Sequence, residues 1–103
     1  MKKQIVGIAS DPQERTWIQN WQHQHQTDAD VVEIVFEGLL IRQKVLEFMK
    51  DMGLFDRAID GFVVHTRNYD DDTFKELSSA LASRGLLLFS TTGETARPSW
   101  RAR

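Results

Sequence analysis

The chain has 103 residues, 41% of them apolar and 27% charged, with a formal net charge of −2. This composition fits one soluble domain and excludes collagen-like, disordered and membrane-spanning classes, since no apolar run approaches the ~20 residues a bilayer requires. With no cysteine, disulfides, thiol catalysis and thiolate metal sites are excluded, and a cytoplasmic location is expected.

The basic start Met1-Lys2-Lys3 superficially suggests a signal peptide. The apolar run behind it ends at Ser10-Asp11-Pro12, too early for an h-region. Gln4 to Ala9 is instead the first predicted strand, with Gly7 allowing close approach of a helix. A helix start follows: Asp11 suits the N-cap, Pro12 the first helical position, and Glu14 completes a capping-box arrangement. Trp17, Ile18 and Trp21 are the apolar stripe of a helix otherwise crowded with glutamines.

Val31 to Phe36 is the second strand. Alternation puts Val32, Ile34 and Phe36 on one face, and Val31, Glu33 and Val35 on the other. A charge at Glu33 is out of place where both faces are covered, so this strand belongs at an edge. The second helix is expected over about Leu39 to Met52. Ile41, Val45, Phe48, Met49 and Met52 form its apolar stripe, and Arg42 lies on its surface. Gly53 fits a left-handed C′ position followed by apolar Leu54.

Ile59 to His65 is a third, central strand. The third helix starts within Asp70-Asp71-Asp72-Thr73 and buries Phe74, Leu77 and Leu81, ending at Arg84-Gly85. Leu86 to Ser90 is the fourth strand. Strands alternating with helices imply parallel crossovers, hence a three-layer α/β/α sandwich with a four-stranded parallel sheet. Right-handed crossovers and the edge position of Glu33 give the strand order 2-1-3-4. Residues 1–94 form one domain and residues 95–103 a basic tail. Arg97, Arg101 and Arg103 put +3 on that tail, leaving −5 on the rest.

In open α/β sheets ligands bind at the carboxyl ends of the strands, at the point where strand order reverses. Between strands one and three that crevice gathers Ser10 and Asp11 with His65, Thr66 and Arg67, flanked by Glu37-Gly38 and Ser90-Thr91-Thr92. Helix N-termini and the Arg67 guanidinium favour negative charge there. The candidate ligand-binding residues are therefore Ser10, Asp11, Gly38, His65, Thr66, Arg67 and Thr91, and the expected ligand is a small anionic metabolite. Helix capping and loop satisfaction account for several of the same residues without any ligand.

No catalytic residue is assigned. G-x-G-x-x-G and G-K-[ST] are absent, and His65 stands where a phosphate-accepting domain would want aspartate. His23 and His25, two apart on a helix, diverge too widely to share a metal. Asp70-Asp71-Asp72 lacks the spacing of a calcium loop. No cofactor is expected. The acidic balance argues against nucleic-acid contact by the body of the domain.

The order Ile5-Val6-Gly7-Ile8-Ala9-Ser10, Trp17-Ile18-Gln19-Asn20-Trp21, Asp30 to Gly38 and Ile59-Asp60-Gly61-Phe62-Val63-Val64 resembles part of the effector-binding domain of LysR-type transcriptional regulators. Ile59 to Phe89 is also similar to the sugar-binding domains of LacI-type regulators. The likeness spans about Ile5 to Ser90, one subdomain of the periplasmic-binding-protein-like fold. It implies a sensor whose effector contacts Ser10 and Asp11, with Thr66 and Arg67 facing the same cleft, and it implies a homo-oligomer. The rival expectation is a protein-interaction or oligomerisation module built on the Glu33 edge, the Trp17/Trp21 helix and the tail with Trp100.

Overall fold

The computed structural model describes residues 2–38 and 42–92; the basic tail and the expected start of the second helix at Leu39 lie outside them. In chain order the elements are β1 (Lys3–Ala9), α1 (Pro12–Gln24), β2 (Ala29–Phe36), α2 (Val45–Asp51), β3 (Gly61–Val64), α3 (Asp71–Ser83) and β4 (Leu87–Ser90). All four strands are parallel, in the order β2-β1-β3-β4. Helices cover both faces, giving the three-layer α/β/α sandwich. Among the described residues no helix is long and apolar enough to cross a membrane.

Period-two alternation divides each inner strand between two cores. Ile5, Ala9 and Val63 face α1 and form one core with its Ile18 and Trp21 and with Ala29 of β2. Val6, Ile8, Phe62, Val64 and Leu88 face the other way, onto Val45 and Met49 of α2 and Leu77 and Leu81 of α3. Phe62, Ile5, Ile8 and Leu88 are fully or almost fully removed from water, each contributing about 1.5–3 kcal/mol of transfer free energy.

Two glycines sit where neighbours leave little room for a Cβ, backbone at Gly61 and a side chain at Gly7. A Cβ on Gly61 would lie 2.4 Å from the Leu87 carbonyl oxygen, and one on Gly7 would lie 2.9 Å from Ile18 Cγ2. Gly53, at φ 68°, takes the left-handed turn after α2, and Leu54 behind it is buried.

Two expectations are corrected. The second helix begins at Val45 among the described residues; Arg42 to Lys44 form a tight turn before it. Arg42, ahead of the helix, reaches back across the sheet end to Ser10, Asp11 and Glu14.

The strict alternation of β2 also fails. Ile5 pairs with Val31 but Val6 with Glu33, so the register skips Val32. This bulge moves one residue out of phase. Val31 and Ile34 consequently share the α1 side, while Val32 and Phe36 are each 44% exposed. The edge position of Glu33 stands, with its carboxylate paired to exposed Arg57.

Candidate functional site

The loops after β1, β2, β3 and β4 meet at the carboxyl rim of the sheet. The reversal of strand order falls between β1 and β3. Ser10 follows β1 directly, and Asp11 caps α1 through Oδ1, which accepts from the Glu14 amide at 2.8 Å. Asp11 is thus the N-cap expected of it.

Glu14 does not play the part of a capping-box residue. Its Oε1 accepts from the Ser10 amide at 2.9 Å, one residue before the cap, and the side chain is wholly buried. Its Oε2 accepts from Ser10 Oγ at 2.8 Å, Asn68 Nδ2 at 2.7 Å and Arg42 Nε at 2.9 Å. Arg42 Nη2 lies 2.7 Å from that same oxygen and also pairs with Asp11 Oδ2. Arg42 Nε donates to Ser10 Oγ at 2.7 Å as well.

One carboxylate therefore ties together β1, α1, the turn before α2 and the segment after β3. Isolated burial of such a charge would cost several kcal/mol, and the guanidinium and amide donors are what make it tolerable. Sequence reading missed Glu14, Arg42 and Asn68 as site residues. The only local signal was an acid in the first turn of α1, and ordinary capping explains that equally well.

His65, at the end of β3, is half-buried. Its Nδ1 shares a hydrogen bond with Thr91 Oγ1 at 2.5 Å, and its ring lies 4.0 Å from that of Trp17, centroid to centroid. Burial holds the imidazole below its ordinary pKa. The Glu14 carboxylate works against that, Arg67 and Arg42 add to it, and Asp11 opposes it weakly. A neutral imidazole is therefore favoured at neutral pH.

Thr66 Oγ1 hydrogen-bonds Ser90 Oγ at 2.8 Å, and Ser90 Oγ hydrogen-bonds Thr92 Oγ1 at 2.8 Å, so β3 and β4 end in a chain of three hydroxyls. Arg67 sits in a short 3₁₀ turn, Thr66–Asn68, and is exposed, with no ion pair among the described residues.

Tyr69 follows that turn. Its hydroxyl is buried with no hydrogen-bond partner among the described residues. Burial pushes the phenol above its usual range, Glu14 pushes it further and Arg42 partly offsets this. The hydroxyl therefore feels the charges of the same cluster.

Of the seven expected residues, Ser10, Asp11, His65, Thr66, Arg67 and Thr91 lie on this rim. Gly38 is exposed, its amide donates only to its neighbour Glu37, and nothing comes within 4 Å of where a Cβ would stand. The N-terminus of α1, expected to attract a ligand's negative charge, is already filled by Asp11 and the buried Glu14. Arg42 pairs with both acids and leaves the three groups together at −1, while Arg67 is exposed with no ion pair among the described residues.

Chemically the rim can recognise and orient. Glu14 is too enclosed for nucleophilic attack, and no described hydroxyl is hydrogen-bonded to His65 except that of Thr91. A scan against protein-family models, a search of curated proteins and a search of solved structures each found no match to this chain.

Proposed function

We propose that this chain is a regulatory sensor module that binds a small anionic metabolite at the carboxyl rim of its sheet, where strand order reverses. The observation that carries this reading is Arg67. Its guanidinium is exposed and has no carboxylate partner among the described residues, and it stands close enough to His65 to disfavour that ring's protonation. Arg42 offsets one of the two charges of Asp11 and Glu14 and leaves the trio at −1, so an incoming carboxylate or phosphate depends on Arg67 as its counter-charge. Thr66, Thr91 and the neutral imidazole offer uncharged hydrogen-bonding groups beside it. The buried Glu14–Arg42 cluster holds these loops at fixed spacing, as a preformed site requires. The resemblance to effector-binding domains of LysR-type regulators points toward sensing rather than catalysis.

Thermal melts in succinate, citrate and inorganic phosphate at constant ionic strength test this. At least one should raise the melting temperature in a saturable way, and Arg67→Ala should remove that rise. If none raises it, the sensor reading fails.

A further inference from the structure

His65 follows β3 with one ring nitrogen engaged. Its Nδ1 shares the 2.5 Å hydrogen bond with Thr91 Oγ1, while Nε2 has no partner among the described residues. A threonine hydroxyl donates or accepts, so this contact holds whether the ring is neutral or cationic. In the cation Nδ1–H must donate to Thr91, and Nε2–H becomes a further donor at the rim. The Trp17 ring lies against the imidazole, 4.0 Å away between centroids and tilted by 33°, and its π electrons favour that cation.

Burial is what chiefly keeps the ring neutral. Of the charges around it, Glu14 on α1 favours the imidazolium most. Arg67, in the turn after β3, and Arg42, in the turn before α2, oppose it, and Asp11, the cap of α1, favours it weakly. β1 is followed by Ser10, and β4 ends in Ser90 with Thr91 and Thr92 behind it, all uncharged. Two cations thus stand against two anions, and neither sign offsets burial in the free protein.

An anion on Arg67 upsets that balance. It offsets the guanidinium that most opposes protonation, and it adds a negative charge of its own beside the ring. Both effects favour the imidazolium. Nε2–H then supplies a charge-assisted hydrogen bond that the neutral ring makes more weakly or not at all.

We propose that anion binding at this rim takes up a proton at His65, whose Nε2–H joins Arg67 on the bound carboxylate, sulfate or phosphate group. This rests on the sensor reading and adds the regulation of that same site. The proton comes from solvent, and no covalent bond to the ligand forms. By linkage, a ligand that strengthens the ring's hold on its proton is itself held more tightly, by the same factor, as pH falls. The module answers to the anion and to acidity together.

Calorimetric titration of the full chain with sulfate, a dianion throughout, tests this from pH 5 to pH 8 at constant ionic strength. Affinity should rise at least ~5-fold as pH falls across that range. NMR titration of the imidazole protons should show the protonation constant of His65 rising by the same factor in saturating sulfate, with His23 and His25 far less moved. This second measurement needs no variant. In His65→Gln the affinity should no longer vary with pH. A pH dependence that persists in that variant overturns the proposal by assigning the proton to another group. Sulfate binding that is equally tight at both ends of the range, with the His65 midpoint unmoved, overturns it while leaving the sensor reading in place. No sulfate binding at any pH overturns it too, and the sensor reading then stands or falls on its own melts in succinate, citrate and phosphate.

Discussion

Glu14 and Arg42, twenty-eight residues apart in the chain, share an ion pair of 2.7 Å in which the carboxylate is entirely buried and the guanidinium is 26% exposed. That asymmetry sets their mutational behaviour. Removing Arg42 strands a buried carboxylate, whereas removing Glu14 leaves Arg42 with Asp11 and water.

Arg42→Met should therefore cost about 3–5 kcal/mol of stability, as for other broken buried pairs. Adding Glu14→Gln to that variant should recover part of the loss, because a neutral amide needs no counter-charge. Urea denaturation of the two singles and the double measures this. Additive losses would show that the pair is not energetically coupled.

Tyr69→Phe should leave stability unchanged or raise it by up to about 1 kcal/mol. The hydroxyl is buried without a partner among the described residues, so its removal relieves a desolvation cost and breaks no bond. A fall in melting temperature would show that the phenol is in fact engaged.

Gly7→Ala should cost about 1–3 kcal/mol in the native background, since the new methyl would press on Ile18 Cγ2 at 2.9 Å. In an Ile18→Ala background the same change should be neutral or favourable, because the clashing methyl is gone. Gly61→Ala has no such remedy. Its obstacle is the Leu87 carbonyl at 2.4 Å, which belongs to the sheet itself. Chemical denaturation of the four proteins distinguishes side-chain crowding from backbone crowding.

His65 gives a signed pH dependence. Its folded pKa is below its ordinary value of 6.5, mainly because it is buried. Between the depressed value and 6.5 the unfolded chain binds more protons, so stability rises with pH across that window and levels off above it. The contribution is present above 6.5 and lost as pH falls through the folded value. Unfolding free energies measured from pH 4.5 to 8 should show this slope, and His65→Gln should flatten it. An unchanged slope in the variant would assign the titration to other groups.

Arg67→Ala should change stability by less than ~0.5 kcal/mol, as for an exposed residue without partners. Its effect should be confined to the thermal shift produced by carboxylates and phosphate. A large destabilisation would make Arg67 structural rather than a recognition group.

Local pattern was enough for the layers, the parallel order and most caps. Asp11, Asp70, Gly53 and the Leu77/Leu81 stripe announce themselves within a few residues of where they act, because capping and helical periodicity are short-range. The same proximity misled at Glu14. An acid three positions after an N-cap has an ordinary local explanation, and nothing nearby indicates a guanidinium arriving from residue 42 or an amide from residue 68.

The sequence by itself determined that β2 lies at an edge and that the loops after β1 and β3 share a rim, since hydrophobic period and crossover handedness depend only on the order of residue types. Only the tertiary structure decided that Val32 bulges, that Arg42 leaves its helix, and that Glu14 is buried among four elements. Each of these turns on which distant groups meet. A buried charge is tolerated only where such partners converge, and convergence belongs to the folded chain rather than to any window along it.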